Sequence, residues 1–444
     1  MSAPNIATKS DPVPSSQNRA SHAQSGPIRR FLNATELDTR MLGMIAALAL
    51  VWVGFHIFSG GVFITPRNLW NLSVQTSSTA VMATGMVLII VTRNIDLSVG
   101  SVLGVLGMIM GVMQAEILPQ FIGFGSPLMW ILSLAIGLAA GAAIGALHGV
   151  IIAYLRVPAF IVTLGGYLAW RGAAWWVTTG RTVAPMDQAF ALMGGGTYGA
   201  IGSTASWVVA AFVCAVIVWG LYSGRKQRRR FNFPLRPIWA EVTLGVLACA
   251  ATLAAVWVAN SYEWPSRVAA RYAQANNIPI PEGGLFIAHG IAVPVLIMLG
   301  VAVLMTFISM RTRFGRYVFA MGGNPEAAEL AGINTRRVTV MIFTIMGMLC
   351  AVSGAITTAR LNAATNAAGT YDEMFVIAAA VIGGTSFNGG VGTVAGAVLG
   401  ALVMQSLKSG MVLMGVDTPL QNIVVGIVLV VAVWLDTLYR QRAK

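Results

Sequence analysis

The chain has 444 residues, 57% of them hydrophobic and 10% charged, and a formal net charge of +13. Soluble domains carry about a quarter charged residues, so a soluble globular fold is excluded, and apolar runs of about 20 residues point to a polytopic membrane protein. The positive charge does not indicate nucleic-acid binding, because the basic residues fall in short loops between apolar runs, where the positive-inside rule places them.

Residues 1–40, rich in Ser, Pro, Asn and Ala with no apolar stretch, are expected to form a disordered cytoplasmic tail and not a signal peptide. Arg29, Arg30 and Arg40 hold the start of a first span, 41–58, on the inside. A second span covers 68–92, and beyond the break Arg93-Asn-Ile-Asp-Leu-Ser-Val-Gly100 a third apolar run extends to 113. Further spans are expected at 128–155, closed by Arg156, and at 158–177, where Trp170, Trp175 and Trp176 suit a membrane interface. A span at 206–223 ends in the cluster Arg225-Lys-Gln-Arg-Arg-Arg230, the clearest cytoplasmic marker. The chain crosses outward at 238–259, returns at 287–310 and leaves again at 338–357. A Gly-broken region, 374–407, and a last span, 421–435, complete the set, with Arg440, Arg442 and Lys444 inside. The expected fold is an all-α polytopic membrane protein of about ten to twelve transmembrane helices with two broken-helix repeats. Its parts are the tail 1–40, a transmembrane domain 41–438 with a cytoplasmic loop 311–337, and a basic cytoplasmic C-terminus 439–444. Cys214, Cys249 and Cys350 lie inside apolar runs without metal-ligand spacing, so neither a disulfide nor a metal site is expected, and no cofactor.

One polar stretch carries a complete set of helix signals. Arg311-Thr-Arg-Phe-Gly-Arg316 leads to Gly322-Gly-Asn-Pro-Glu-Ala-Ala-Glu-Leu-Ala-Gly-Ile-Asn334. Asn324 is an N-cap residue and Pro325 suits the first helical position. Glu326 and Glu329 favour the positive end of the helix dipole, Ala327 and Ala328 fill the body, and Gly332 supplies a left-handed stop. A short capped rod between two spans is a handle for another protein; the plainer reading is a surface turn.

Val99-Gly-Ser-Val-Leu-Gly104 resembles Val391-Gly-Thr-Val-Ala-Gly396, and in that register Asp96 falls on Asn388. Broken helices in matching positions point to a transport path. Asn94, Asp96, Ser98, Thr385, Ser386 and Asn388 could offer polar groups along it. Asp96 could carry a proton or line the path; the favoured alternatives are an N-cap for a helix starting at Leu97 or a partner for Arg93. Glycines at 137, 141, 145 and 149, and at 392, 396 and 400, have the spacing of close helix packing. His148 reads as a packed, hydrogen-bonded core histidine, and Arg171 as interfacial or stacked on a ring. His56 carries no signal. No phosphate-cradling loop is present, so if ATP drives the protein the ATPase is another chain. No nucleophile elbow, zinc signature or spaced carboxylate pair suggests an enzyme.

Asn94-Ile-Asp-Leu-Ser-Val-Gly-Ser101, Val157-Pro-Ala-Phe-Ile-Val-Thr-Leu164, the 322–334 stretch and Val381-Ile-Gly-Gly-Thr-Ser-Phe-Asn-Gly-Gly-Val-Gly392 resemble four ordered blocks of bacterial monosaccharide ABC-importer permeases of the ribose/xylose type. Among subtypes the likeness is greatest to the xylose permease subunit, through Gly172 after Trp170-Arg171, the 225–230 cluster and Val416-Asp-Thr-Pro-Leu-Gln421. The resemblance implies a homodimer in the bacterial inner membrane with cytoplasmic termini, a cytoplasmic ABC ATPase, a periplasmic sugar-binding protein and D-xylose as cargo. It also implies that 324–332 is the coupling helix. Two departures stand out: 261–284 is longer than the family's loop and carries Arg267 and Arg271, and the glycine usual at 93 or 94 is missing. An ion-coupled secondary transporter of a small polar solute would also show broken helices and an intramembrane acid, and stays open here. A channel or a lipid-embedded enzyme is more distant.

Overall fold

Backbone polar groups have no partner in lipid, so each apolar run coils into a helix that satisfies its own. The computed structural model describes residues 35–36, 39–282 and 284–442, without side-chain surroundings at 39–40 and 435–442. Most of the expected tail, and residues 443–444, lie outside them. Among the described residues there is no β-strand, only isolated bridges between loops.

In chain order the long helices are α1 (Thr39–Phe58), α2 (Pro66–Val91), α3 (Val99–Val112), α4 (Met129–Ala153) and α5 (Ala159–Trp176). α6 (Gly202–Arg230) and α7 (Ile238–Asn260) make a hairpin, followed by the short α8 (Ser266–Ala275) and the span α9 (Val293–Arg311). α10 (Arg313–Gly323) and α11 (Pro325–Leu330) lead into α12 (Thr335–Leu361), and α13 (Asp372–Ile382), α14 (Val394–Leu413) and α15 (Thr418–Arg442) close the chain. Among the described residues nine helices are long and apolar enough to cross a membrane, α3 counting with its continuation to Ile122. With α5, the half-length α13 and α15 added, the described segments number twelve, the upper end of the expected range.

The core helices form two copies of one unit. α4 packs along α12, and α14 along α2; α3 lies on α5, and α13 on α15; α3 also touches α12, and α13 touches α2. Each of these contacts of the unit α2–α3–α4–α5 thus has a counterpart in α12–α13–α14–α15. The two units run oppositely: Ser78 and Gly85 of α2 face Ser353 and Leu349 of α12 in antiparallel order. This is an inverted-topology repeat. Its breaks fall in residues 92–98, between α2 and α3, and 362–371, between α12 and α13. The likeness between 99–104 and 391–396 therefore marks two helix starts at different places in the unit, and the fold does not repeat the Asp96–Asn388 register.

The glycine spacing works as packing. A Cβ at Gly141 would strike the carbonyl of Gly347, and one at Gly145 that of Phe343, so α4 and α12 meet backbone to backbone. Gly396 and Gly400 admit Gly383 and Ala379 in the same way. With no hydrophobic drive between helices in lipid, such dispersion contact is what holds them. α1, α6 and α7 differ, with only 6%, 11% and 11% of their apolar windows buried within this chain.

Three local departures have physical reasons. α6 continues through the 225–230 cluster, since Lys and Arg are good helix formers and favour the negative helix end. α9 starts at Val293 and not near 287, because Gly290 takes φ +75° and Pro294 fits only a helix's first turn. Glu36, inside the expected disordered stretch, is held by Arg228 at 2.6 Å and Arg236 at 2.9 Å. Those two guanidiniums lower its carboxyl to a pKa of about 2.

Candidate functional site

The handle folds as its letters dictate. Asn324 Oδ1 accepts from Ala327 N–H at 3.0 Å, and Pro325 opens α11. At the other end Gly332 sits at φ +83°. Its N–H donates to Glu329 O at 3.0 Å, and Ile333 N–H to Ala328 O at 3.1 Å. That pair of bonds is a Schellman stop. Glu326, Ala327 and Glu329 are exposed, Leu330 is 91% exposed, and Ala328 alone is buried. α10, which precedes it, was not foreseen. Thr312 caps it by accepting from Gly315 N–H at 3.2 Å, and its buried positions 315, 318 and 322 keep helical spacing. That periodicity was the available signal.

The root of the handle is tied to the first break. Arg93 Nε donates to Gly322 O at 3.0 Å and Nη2 to Gly323 O at 2.8 Å. Arg93 therefore does not pair with Asp96. The loop between α13 and α14 closes on the same point: Gly390 N–H donates to Val91 O at 3.0 Å. Gly322 admits this crowding, since a Cβ there would strike Val91 O and Gly390 N. The handle's root, the end of α2 and the 383–393 loop thus meet at one junction.

Asp96 serves its own backbone, as an Asx turn does. Its Oδ1 accepts from Ser98 N–H at 2.8 Å and Ser98 Oγ–H at 2.6 Å. The helix beyond starts at Val99, two residues later than expected, with Ser98 as N-cap. His148 continues the chain of bonds. Trp170 Nε1–H can only donate, so His148 Nε2, 2.9 Å away, accepts, and Nδ1 faces Ser98 Oγ at 3.5 Å. His148 is a bonded core residue. Asn94 Nδ2 donates to Thr92 at 3.1–3.2 Å.

In the other loop Ser386 Oγ accepts from Asn388 N–H at 3.2 Å, Asn388 is exposed, and the buried Thr385 Oγ1 has no partner among the described residues. Among the described residues no hydrogen bond joins 94–98 to 385–388. Ser98 faces His148 of α4, which is bonded in turn to Trp170 of α5, while Thr385 packs beside Val87 and Val91 of α2.

Of the two readings of Arg171, no ring stacking is seen among the described residues; Nη1 donates to Asn366 O at 2.9 Å and Ala368 O at 2.8 Å, pinning the second break. Backbone acceptors almost 200 positions away leave no local trace. Glu373, 2% exposed at the start of α13, was also missed.

A family model described as the permease component of branched-chain amino acid transport systems matches residues 68–433. The xylose transport system permease protein XylH of Escherichia coli strain K12 is 36% identical over 413 residues, 93% of this chain and 95% of its own. The same-named protein of Haemophilus influenzae is 37% identical over 394 residues, 89% and 95% of the two chains. The ribose import permease protein RbsC of E. coli K12 is 32% identical over 408 residues, 92% and 96%. No solved structure matches.

Proposed function

We propose, from the premise that this chain belongs to the permease-component family that includes the xylose and ribose import permeases, that it forms the membrane path of an ABC importer for D-xylose. As a permease component it is a transport protein. The finer reading assigns ATP hydrolysis to a separate cytoplasmic ATPase and sugar delivery to a periplasmic binding protein. Two permease copies then sit in a bacterial inner membrane, with both termini and the 311–337 loop cytoplasmic. The observation that carries this reading is the junction at Gly322–Gly323. A rod capped at both ends is joined at its root to the first break through Arg93, and that root lies against the point where the Gly390 N–H of the 383–393 loop bonds Val91 O of α2. Such a rod transmits a push from a cytoplasmic ATPase to the elements that open the path, which is the role of a coupling helix for Asn324 to Gly332. Residues 94–98 and 385–388 are then the ends of that linkage.

The xylose assignment follows the two xylose permeases, which match at 36–37% against 32% for the ribose permease. The test is energy coupling in cells. Uptake of D-xylose should continue when a protonophore collapses the proton gradient with ATP intact, and the purified chain alone should hydrolyse no ATP. Collapse of uptake by the protonophore would favour an ion-coupled transporter.

A further inference from the structure

Irregular backbone at membrane depth must be covered by protein or face a water-filled path. The segment joining α12 to α13 is such backbone, and the glycines of α3 measure its depth. A Cβ on Gly111 would meet Ala364, one on Gly104 the carbonyl of Ala368, and one on Gly100 the carbonyl of Gly369 and the Glu373 carboxylate. From Gly111 to Gly100 a helix rises about 16 Å at 1.5 Å per residue. The segment therefore descends along α3 through about half of a ~30 Å hydrocarbon core before α13 begins. Its outer end is fixed by paired bonds between Val183 and Ala364, and its middle by Arg171.

The descending segment is polar and open. Thr370 and Tyr371 are exposed, and Thr365 and Asn366 are half-buried. Tyr371, at the foot, is 49% exposed and holds φ +66°, a left-handed backbone unusual for a bulky side chain. Thr370 Oγ1 donates to Ala367 O at 2.7 Å and Thr365 Oγ1 accepts from Ala367 N–H at 3.4 Å, but the Asn366 amide, the exposed Tyr371 hydroxyl and turn backbone at this depth cannot face acyl chains. Behind them Glu373 Oε2, Arg171 Nη2 and Ser101 Oγ are buried without a partner among the described residues. These three atoms add polar groups behind the exposed face.

We propose that residues 365–371, with Tyr371 at the foot, form the wall of the translocation path that a neutral, hydroxyl-rich sugar touches as it crosses. This rests on the sugar-permease reading above. A sugar ring offers C–H faces to an aromatic ring and hydroxyls to Thr370, Asn366 and the tyrosine O–H, so Tyr371 serves both.

The test uses the permease with its ATPase and binding protein in proteoliposomes, with D-xylose as the probe. Asn tolerates the left-handed backbone, so Tyr371→Asn removes the ring and leaves the turn. Its uptake should fall about tenfold, the scale of one lost aromatic contact, while ATP hydrolysis stimulated by loaded binding protein is kept; Tyr371→Phe should lie between. Independently, the thiol of Tyr371→Cys should react with a membrane-impermeant reagent and uptake should then stop, the unmodified chain being the control. Wild-type uptake by Tyr371→Asn, or an unreactive thiol in an active Tyr371→Cys complex, overturns the proposal. A wild-type complex that takes up no sugar contradicts the sugar-permease reading instead.

Discussion

Arg93 carries the link between the handle and the first break on two donors. Its planar fork serves two adjacent carbonyls at once, which a lysine's single rotatable charge cannot. Arg93→Ala gives up two charge-assisted bonds at about 1.5–3 kcal/mol each, and should lower sugar moved per ATP hydrolysed while leaving membrane insertion intact. Arg93→Lys should fall between, measured as the same ratio in proteoliposomes. Asp96 predicts the opposite pattern. Its bonds need only an acceptor oxygen, which asparagine keeps, so Asp96→Asn should transport nearly as wild type. A dead but well-folded Asp96→Asn protein would instead assign the carboxylate a proton or ion. His289 supplies a pH signature in the 261–292 loop. It lies face to face on Tyr262 at 4.3 Å, and burial lowers its pKa below the ordinary histidine value. The folded protein therefore keeps the ring neutral, whereas the unfolded chain takes up a proton near about pH 6.5. The unfolded state then binds more protons, so this stability is present above that pH and declines below it. Thermal denaturation should show a lower midpoint at about pH 5.5 than at 7.5, with the difference reduced in His289→Gln.

At the scale of elements, the α4–α12 contact leaves no space for a methyl group. Gly145→Ala would drive a carbon into the Phe343 carbonyl, and overpacking of this kind costs about 1–3 kcal/mol. A lowered melting midpoint in detergent is expected, whereas Gly43→Ala on α1, with open space around it, should change little. How far each element could be read from sequence depends on where its partners lie. α11 was legible residue by residue, because Asn324, Pro325 and Gly332 act within the helix they cap. The glycine stripe of α4 was legible for the same reason, as spacing along one helix. Position relative to the rest of the chain was not. Arg93 turned to carbonyls 229 and 230 residues away and not to its neighbour Asp96. Arg171 reached 195 and 197 residues to the segment before α13. A three-residue charge pair is visible in a string of letters; a donor matched to a distant backbone carbonyl is not.

At the scale of the whole molecule, two oppositely directed units share one core, and each unit has a break before its half-length or shortened helix. The break before α3 opens near the handle, and the break before α13 descends from the opposite end along α3. A displacement at the handle can thus reach the first break directly and the second through α3, whose glycines lie against both Gly354 of α12 and Ala368. Sequence matching aligned helix starts and so missed this symmetry, since the repeated feature is a packing pattern and not a string. The central claim is that α11 transmits force, and breaking that helix tests it most directly. Ala328 N–H donates to Asn324 O at 3.0 Å, so Ala328→Pro removes this bond and forces a ring into the turn, at a cost of about 3 kcal/mol. The spans satisfy their own backbones and should insert at normal abundance. Glu326→Lys, an adverse dipole contact of at most about 1 kcal/mol, should act more gently. The measurement is D-xylose uptake, with ATP hydrolysis stimulated by loaded binding protein, in proteoliposomes of the complete complex. The account predicts that Ala328→Pro loses both at wild-type permease abundance; full uptake by that variant would contradict it and leave α11 a surface turn.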